Sequence, residues 1–333
     1  MVALTGLKEF FERNPSVEVV IFAGKGGLGK TTCSAALAYH MAVNEGKKVL
    51  CFSTDPQASL SDIFERDLFG KGVIEIVPNL YVVEIDADKR IAEYQEEIRN
   101  KIKNMYGLDK IPEEIDEYIS STSAEPAMYE SATYDAMAEL VAAGEYDIYI
   151  FDMPPFGHGV RMVAMAEILT AWVDKLTEAR KEAQKYESVA ATLRGTKISE
   201  DEVLKELELI RNKMKAFTDL LVDSRKTAFF MVLVPESMAI LDTERALAMF
   251  NDLGITLSGV VVNRVYPTDL LNHPDVPEFL KNKIIDQSKY LEEIKQKFGD
   301  YIAAIIPAYE REPKGLEMLP RVAEDLMYSK LSI

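Results

Sequence analysis

Gly24-Lys25-Gly26-Gly27-Leu28-Gly29-Lys30-Thr31-Thr32 gathers a glycine-rich loop, two lysines and a pair of hydroxyls in one short stretch. The GxxxxGK[ST] spacing is that of a phosphate cradle. Glycine tolerates φ > 0 and lets backbone N–H groups close around phosphate oxygens. Lys30 is expected to reach the β- and γ-phosphates, and the Thr31 hydroxyl to coordinate Mg2+. The loop from Gly24 to Thr32 is therefore assigned to ATP·Mg2+, with Gly24, Lys25, Gly26, Gly27, Leu28, Gly29, Lys30, Thr31 and Thr32 around the phosphates.

Two aspartates supply the rest of a hydrolytic site. Asp55, after Phe52-Ser53-Thr54 and before Pro56, places a carboxylate where it can polarise an attacking water. Phosphoryl transfer depends on such positioning more than on covalent chemistry. Outside this context an Asp-Pro pair reads as a turn or cap aspartate. Asp152 ends Tyr149-Ile150-Phe151-Asp152, which resembles a Walker B strand, and is expected to hold Mg2+ through water. His158, in the Pro- and Gly-containing stretch that follows, reads as part of a loop that responds to the γ-phosphate, not as a base or metal ligand.

These residues need strands to present them. Short runs rich in β-branched and aromatic residues read as buried parallel strands at Val17–Ala23, Lys48–Ser53, Leu80–Ile85, Asp147–Phe151, Ala228–Val234, Leu257–Asn263 and Ile302–Ile306. Helical stretches separate most of them, so the fold is predicted to be α/β, a doubly wound, mainly parallel sheet of the P-loop NTPase type with an inserted α-helical subdomain. The ATPase domain is assigned to 1–86, 144–160 and 226–333, and the helical subdomain to 87–143 and 161–225. In the first insertion Ile91, Tyr94, Ile98, Ile102 and Met105 follow one helix face. In the second, Met162, Met165, Leu169, Trp172, Val173 and Leu176 form an outgoing arm. Val203, Leu207, Ile210, Met214, Phe217 and Leu221 form a return arm that Ser199 and Glu202 begin as a capping box. Those stripes either pack on one another or leave a groove for an apolar partner helix.

Bulk composition narrows the partners. The net charge of −17 disfavours non-specific binding to nucleic acid or anionic lipid. The two cysteines, Cys33 and Cys51, are far apart in apolar surroundings and read as buried thiols, with no CxxC pair for zinc. Neither an N-terminal apolar segment nor a run of about 18 apolar residues is present, so a cytoplasmic location is expected.

Taken together the motifs resemble the family that contains the arsenite-pump ATPase and the ATPase that delivers tail-anchored membrane proteins. The likeness extends over most of the chain. Lys25 fits that family's deviant P-loop, in which this lysine reaches the partner subunit's nucleotide. The resemblance therefore implies a homodimer and a catalytic set of Asp55, Lys25 and Lys30. Ser59-Leu60-Ser61-Asp62 after Asp55-Pro56 is similar to the family's first switch. Pro155, Gly157, His158 and Arg161 after Asp152 are similar to its second. Asn263 matches an adenine-contacting asparagine, and Pro307 with its neighbours matches the loop that borders the base.

The departures bear on the client. Two separated cysteines do not form the cysteine cluster of an arsenite pump, and 266–277 lacks the zinc pair of some tail-anchor factors. The resemblance ranks delivery of a hydrophobic helix to a membrane receptor first. An arsenite or anion pump subunit and a ParA/MinD-like positioning ATPase remain as alternatives.

Overall fold

The computed structural model describes residues 6–53, 59–106, 108–121, 126–153, 174–175, 177–178, 181 and 202–331. Backbone proximity divides the chain into two compact units. One draws on Met1–Asp86, Glu145–Val160 and Leu221–Ile333, the other on Ala87–Gly144 and Arg161–Leu220.

The first unit is built on a sheet of β1 (Val19–Ala23), β2 (Val49–Ser53), β3 (Ile74–Val77), β4 (Leu80–Glu84), β5 (Ile148–Asp152), β6 (Thr227–Leu233), β7 (Leu257–Val265) and β8 (Ile302–Pro307). Their spatial order is β3-β4-β2-β5-β1-β6-β7-β8. All neighbours are parallel except β3 and β4. Every residue of β1, β2, β5 and β6 is buried, as a parallel sheet covered on both faces requires.

The α-helices are α1 (Leu7–Arg13), α2 (Lys30–Val43), α3 (Ser59–Phe64), α4 (Ala87–Tyr106), α5 (Glu113–Ser121), α6 (Pro126–Ala143), α7 (Glu202–Val222), α8 (Ser237–Asp252), α9 (Glu278–Phe298) and α10 (Gly315–Tyr328), with short 3-10 turns at Thr268–Asn272 and Gly299–Tyr301. Side chains alternate across a strand. Val20, Phe22, Cys51, Ile150, Phe230 and Val232 thus form one core with Leu7, Leu37, Leu60 and Leu319 from α1, α2, α3 and α10. On the opposite face Phe229 meets Phe250 of α8 with ring centroids 5.5 Å apart. The strands read from sequence start and end to within two residues of those observed, and one strand was not among them. β3 was not anticipated: it is a four-residue antiparallel edge, too short for its alternation to stand out. β7 runs on past Asn263 through Arg264, which takes φ 58° where the register with β8 shifts.

The second unit contains α4, α5, α6 and the larger part of α7. The helical stretch predicted over 87–143 is three helices: Pro112 immediately precedes α5, and Pro126 opens α6. Proline is tolerated in a first turn because its missing N–H would have no partner there. Tyr134 is fully buried and shares a hydrogen bond with Thr218 at 2.9 Å, while its ring lies 5.0 Å from Phe217. Met214 and Phe217 are therefore interior residues of this unit and do not line an open groove. Arg90 and Lys213 both bond Asp135 and Glu139, tying three helices through charge. Leu209 of α7 is 70% exposed. Met162, Met165, Leu169, Trp172, Val173, Leu176 and Ser199 lie outside the described residues, as do the side chains of Tyr94, Ile98, Met105, Val203, Leu207 and Ile210.

Candidate nucleotide site

β1 ends at Ala23, and the chain turns at Gly24 with φ 147°. A Cβ there would lie 2.5 Å from the Val232 carbonyl oxygen of β6, which excludes any larger residue. Gly29 is the N-cap of α2 in the left-handed conformation, and a Cβ on it would overlap the Asn263 amide. The two glycines fix Lys25, Gly26, Gly27 and Leu28 as a loop against the α2 N-terminus, whose partial positive charge favours an anion. Lys30 is only 5% exposed. Its Nζ donates to the Lys25 carbonyl at 3.1 Å, folding the ammonium over the loop.

Asp152 is 1% exposed. Its Oδ2 accepts the Thr31 hydroxyl at 2.8 Å, and the hydroxyls of Ser53 and Ser59 at 3.3 Å each. Thr31 and Asp152 are thus brought together, while Ser53 and Ser59, which join them, were not singled out as site residues. The donors are all hard oxygens, the set that suits Mg2+. The Thr31 O–H donates to Asp152, which leaves the lone pairs on its oxygen for a cation. Thr32, the next residue of α2, is partly exposed beside it.

At the other edge of the loop Asn263, 7% exposed, donates from Nδ2 to the Leu28 carbonyl at 2.8 Å and accepts the Arg264 N–H at 2.9 Å. Pro307 ends β8 in register with Val265, and Ala308 N–H donates to the Val265 carbonyl at 2.9 Å. Beyond it Tyr309 donates to Asp325 at 2.8 Å under the Arg321 guanidinium. Burial, reinforced by the Asp325 carboxylate, holds the Tyr309 hydroxyl far above its usual pKa. Asn263 and Pro307 therefore stand at the C-terminal ends of adjacent strands, with Asn263 bonded directly to the phosphate loop.

Lys25 is half exposed, with Nζ 3.4 Å from Asp242 Oδ2 on α8. Asp55, Pro155, Gly157, His158 and Arg161 lie outside the described residues. Glu84 was missed by sequence reading. It is fully buried at the end of β4 and accepts the N–H groups of Leu60 and Ser61 at 2.8 and 3.1 Å. A lone glutamate at a strand end reads as solvent-facing, and only the register with β2 reveals its place. Among the described residues no helix is long and apolar enough to cross a membrane.

Comparison with known proteins finds likeness over nearly the whole chain. The family model described as anion-transporting ATPase matches residues 17–328. Two Aquifex aeolicus proteins, named “Putative arsenical pump-driving ATPase 1” and “Putative arsenical pump-driving ATPase 2”, are each 29% identical to this chain. The first alignment covers 92% of this chain and 78% of the relative, the second 93% and 99%. A Paramecium tetraurelia protein named “ATPase ASNA1 homolog 2” is 28% identical over 97% of each chain.

Proposed function

Since this chain belongs to the anion-transporting ATPase family and hydrolyses ATP, we propose that it is a Mg2+-dependent homodimeric switch. Its client is an apolar helix of a membrane protein, which it carries through the cytoplasm and releases to a membrane receptor. The observation that carries the nucleotide half is the Thr31–Asp152 bond, which ties the phosphate loop to the strand end β5 at 2.8 Å.

In this reading Gly24, Gly26, Gly27, Leu28, Gly29, Lys30 and Thr32 surround the phosphates. Asn263 and Pro307 border adenine, and Lys25 serves the partner subunit's nucleotide. Thr31 binds Mg2+ directly and Asp152 through water. The cation would neutralise charge on the phosphates. Asp55 positions the attacking water, so Asp55→Asn should bind ATP and lose turnover. The helical unit supplies the client surface, and a client biases the nucleotide cycle only as far as it binds the two states unequally.

Cargo chemistry favours the apolar client over arsenite. Cys33 and Cys51 are both buried, and burial pushes both thiols well above their usual pKa, whereas metalloid capture needs accessible thiolates. The test is capture of a protein bearing one C-terminal transmembrane segment, with a non-hydrolysable ATP analogue or with ADP. Capture with the analogue and release with ADP is expected. Equal recovery in both, or arsenite-stimulated turnover without capture, would contradict the assignment.

A further inference from the structure

β4, β2 and β5 lie side by side, and their register sets Glu84 beside Ser53 and Ser53 beside Asp152. Residues in one row of a parallel sheet face the same way, so two carboxylates stand about 10 Å apart on a single face. The first turn of α3 spans them. Ser59, its first residue, puts Oγ 3.3 Å from Asp152 Oδ2 and 3.3 Å from Ser53 Oγ. Leu60 N–H donates to Glu84 Oε1 at 2.8 Å, and Ser61 N–H to Oε2 at 3.1 Å. The Ser61 hydroxyl also donates to Oε2, and its oxygen accepts Leu68 N–H at 3.0 Å.

Glu84 is itself anchored in the fold. Its carbonyl accepts Gly70 N–H at 3.0 Å, and its side chain is fully buried. A buried carboxylate is costly unless several donors satisfy it. An apolar side chain would fill the same space without that cost. What the carboxylate adds is geometry: both of its oxygens fix the start of α3, and no apolar residue can do that.

We infer that Glu84 is a positioning residue for ATP hydrolysis. By clamping the Leu60–Ser61 turn it keeps the Ser59 hydroxyl on Asp152, and so orients the carboxylate assigned to the hydration shell of Mg2+. Glu84 touches neither nucleotide nor metal and acts only through Ser59. The inference rests on the reading of Asp152 given above.

The experiment compares the full-length parent with Glu84→Gln and Ser61→Ala in steady-state ATP turnover, Mg2+ titration of turnover, and binding of a fluorescent ATP analogue. Glutamine keeps the shape and replaces one acceptor with a donor that opposes the Ser61 N–H. A small misplacement at a reacting centre costs about one to two orders of magnitude. Glu84→Gln is therefore expected to lower kcat about tenfold or more with little change in KM for ATP. The Mg2+ concentration for half-maximal turnover should rise severalfold. A purely structural loss would reduce the active fraction and leave the Mg2+ midpoint in place.

A folded Glu84→Gln with parental kcat and parental Mg2+ midpoint overturns the inference. So does a fall in kcat without a shift in that midpoint. Should Glu84→Gln not fold, Ser61→Ala decides: it removes the hydroxyl that joins Glu84 Oε2 to the Leu68 N–H and so loosens the clamp, and parental kcat with an unmoved midpoint would overturn the inference equally. Lys30→Ala separates this from failure of the site itself. Parental turnover in Lys30→Ala removes the nucleotide assignment, whereas a dead Lys30→Ala beside a fully active Glu84→Gln removes only the role of Glu84.

Discussion

The Thr31 hydroxyl and the Asp152 carboxylate, 121 residues apart in sequence, are joined by a 2.8 Å hydrogen bond in which Thr31 is the donor. One belongs to the first turn of the helix that follows the phosphate loop, the other to the end of the strand beside β1. Their contact converts two sequence motifs into one oxygen-lined site, and it predicts how each should fail.

In the proposed reading Thr31→Ala removes the direct metal ligand, and Asp152→Asn the carboxylate behind it. Both should lower Mg2+-dependent turnover by roughly 100-fold, the scale of losing a preorganised electrostatic group. Nucleotide binding in the absence of Mg2+ should change far less, since the loop and Lys30 are untouched. Isothermal titration with ATP, with and without Mg2+, checks the distinction. Equal losses in both conditions would mean the two residues serve the fold and not the cation.

Lys25 pairs with Asp242 of its own chain at 3.4 Å. In the dimeric reading this lysine must leave Asp242 to serve the partner's nucleotide. A half-exposed pair is worth about 1 kcal/mol or less. Asp242→Asn should therefore shift the monomer–dimer balance toward dimer by no more than about fivefold per subunit, about 30-fold for the two pairs that a dimer releases, at fixed ATP analogue. Sedimentation velocity reads this directly. An unchanged balance would show that the ion pair does not hold Lys25 back, and an unchanged balance in Lys25→Ala would remove the lysine from the interface.

The cysteines give a chemical prediction. Burial, and next the Asp152 charge, push the Cys33 thiol up to about 12. Cys51, also buried, is raised in the same direction for the same two reasons. Neither should react with an alkylating reagent at pH 8 until the protein unfolds, when both become available. Mass spectrometry after timed alkylation with and without denaturant tests this, and fast labelling of either thiol in the native state would contradict it.

How much of this was legible in the sequence depends on the range of the interaction. The phosphate loop was readable because its glycines encode backbone conformations, and Gly24 and Gly29 do adopt positive φ. The parallel strands were readable because burial on both faces leaves continuous apolar runs. Glu84 and Ser59 were not, since their roles exist only once the register aligns three strand ends and α3 spans them. Met214 and Phe217 showed the spacing of a helix stripe, but periodicity does not say whether the stripe meets a client or Tyr134. The structure shows that it meets Tyr134. The first helical insertion read as one stretch, although its one-face spacing was followed only from Ile91 to Met105 and Pro112 and Pro126 marked its breaks.

His40 sets a pH dependence. It is buried, with Glu45 at 3.5 Å, and desolvation lowers its pKa below 6.5 despite the opposing pull of Glu45. A depressed pKa means that the unfolded chain binds the proton more readily. The stability His40 contributes is complete above pH 6.5 and is lost as pH falls through the depressed value. The difference in unfolding midpoint between the parent and His40→Gln should be constant in the alkaline range and should move against the parent below about pH 6. A difference independent of pH would refute the assignment.

The central claim is that ATP is hydrolysed at the loop from Gly24 to Thr32, and its most direct test is the steady-state ATPase rate of Lys30→Ala beside the parent. Lys30 is buried against the loop through its contact with the Lys25 carbonyl. Removing its charge should lower turnover by about 100-fold or more, with the fold intact by circular dichroism. A folded Lys30→Ala that turns over ATP at the parental rate would place hydrolysis elsewhere and contradict the account.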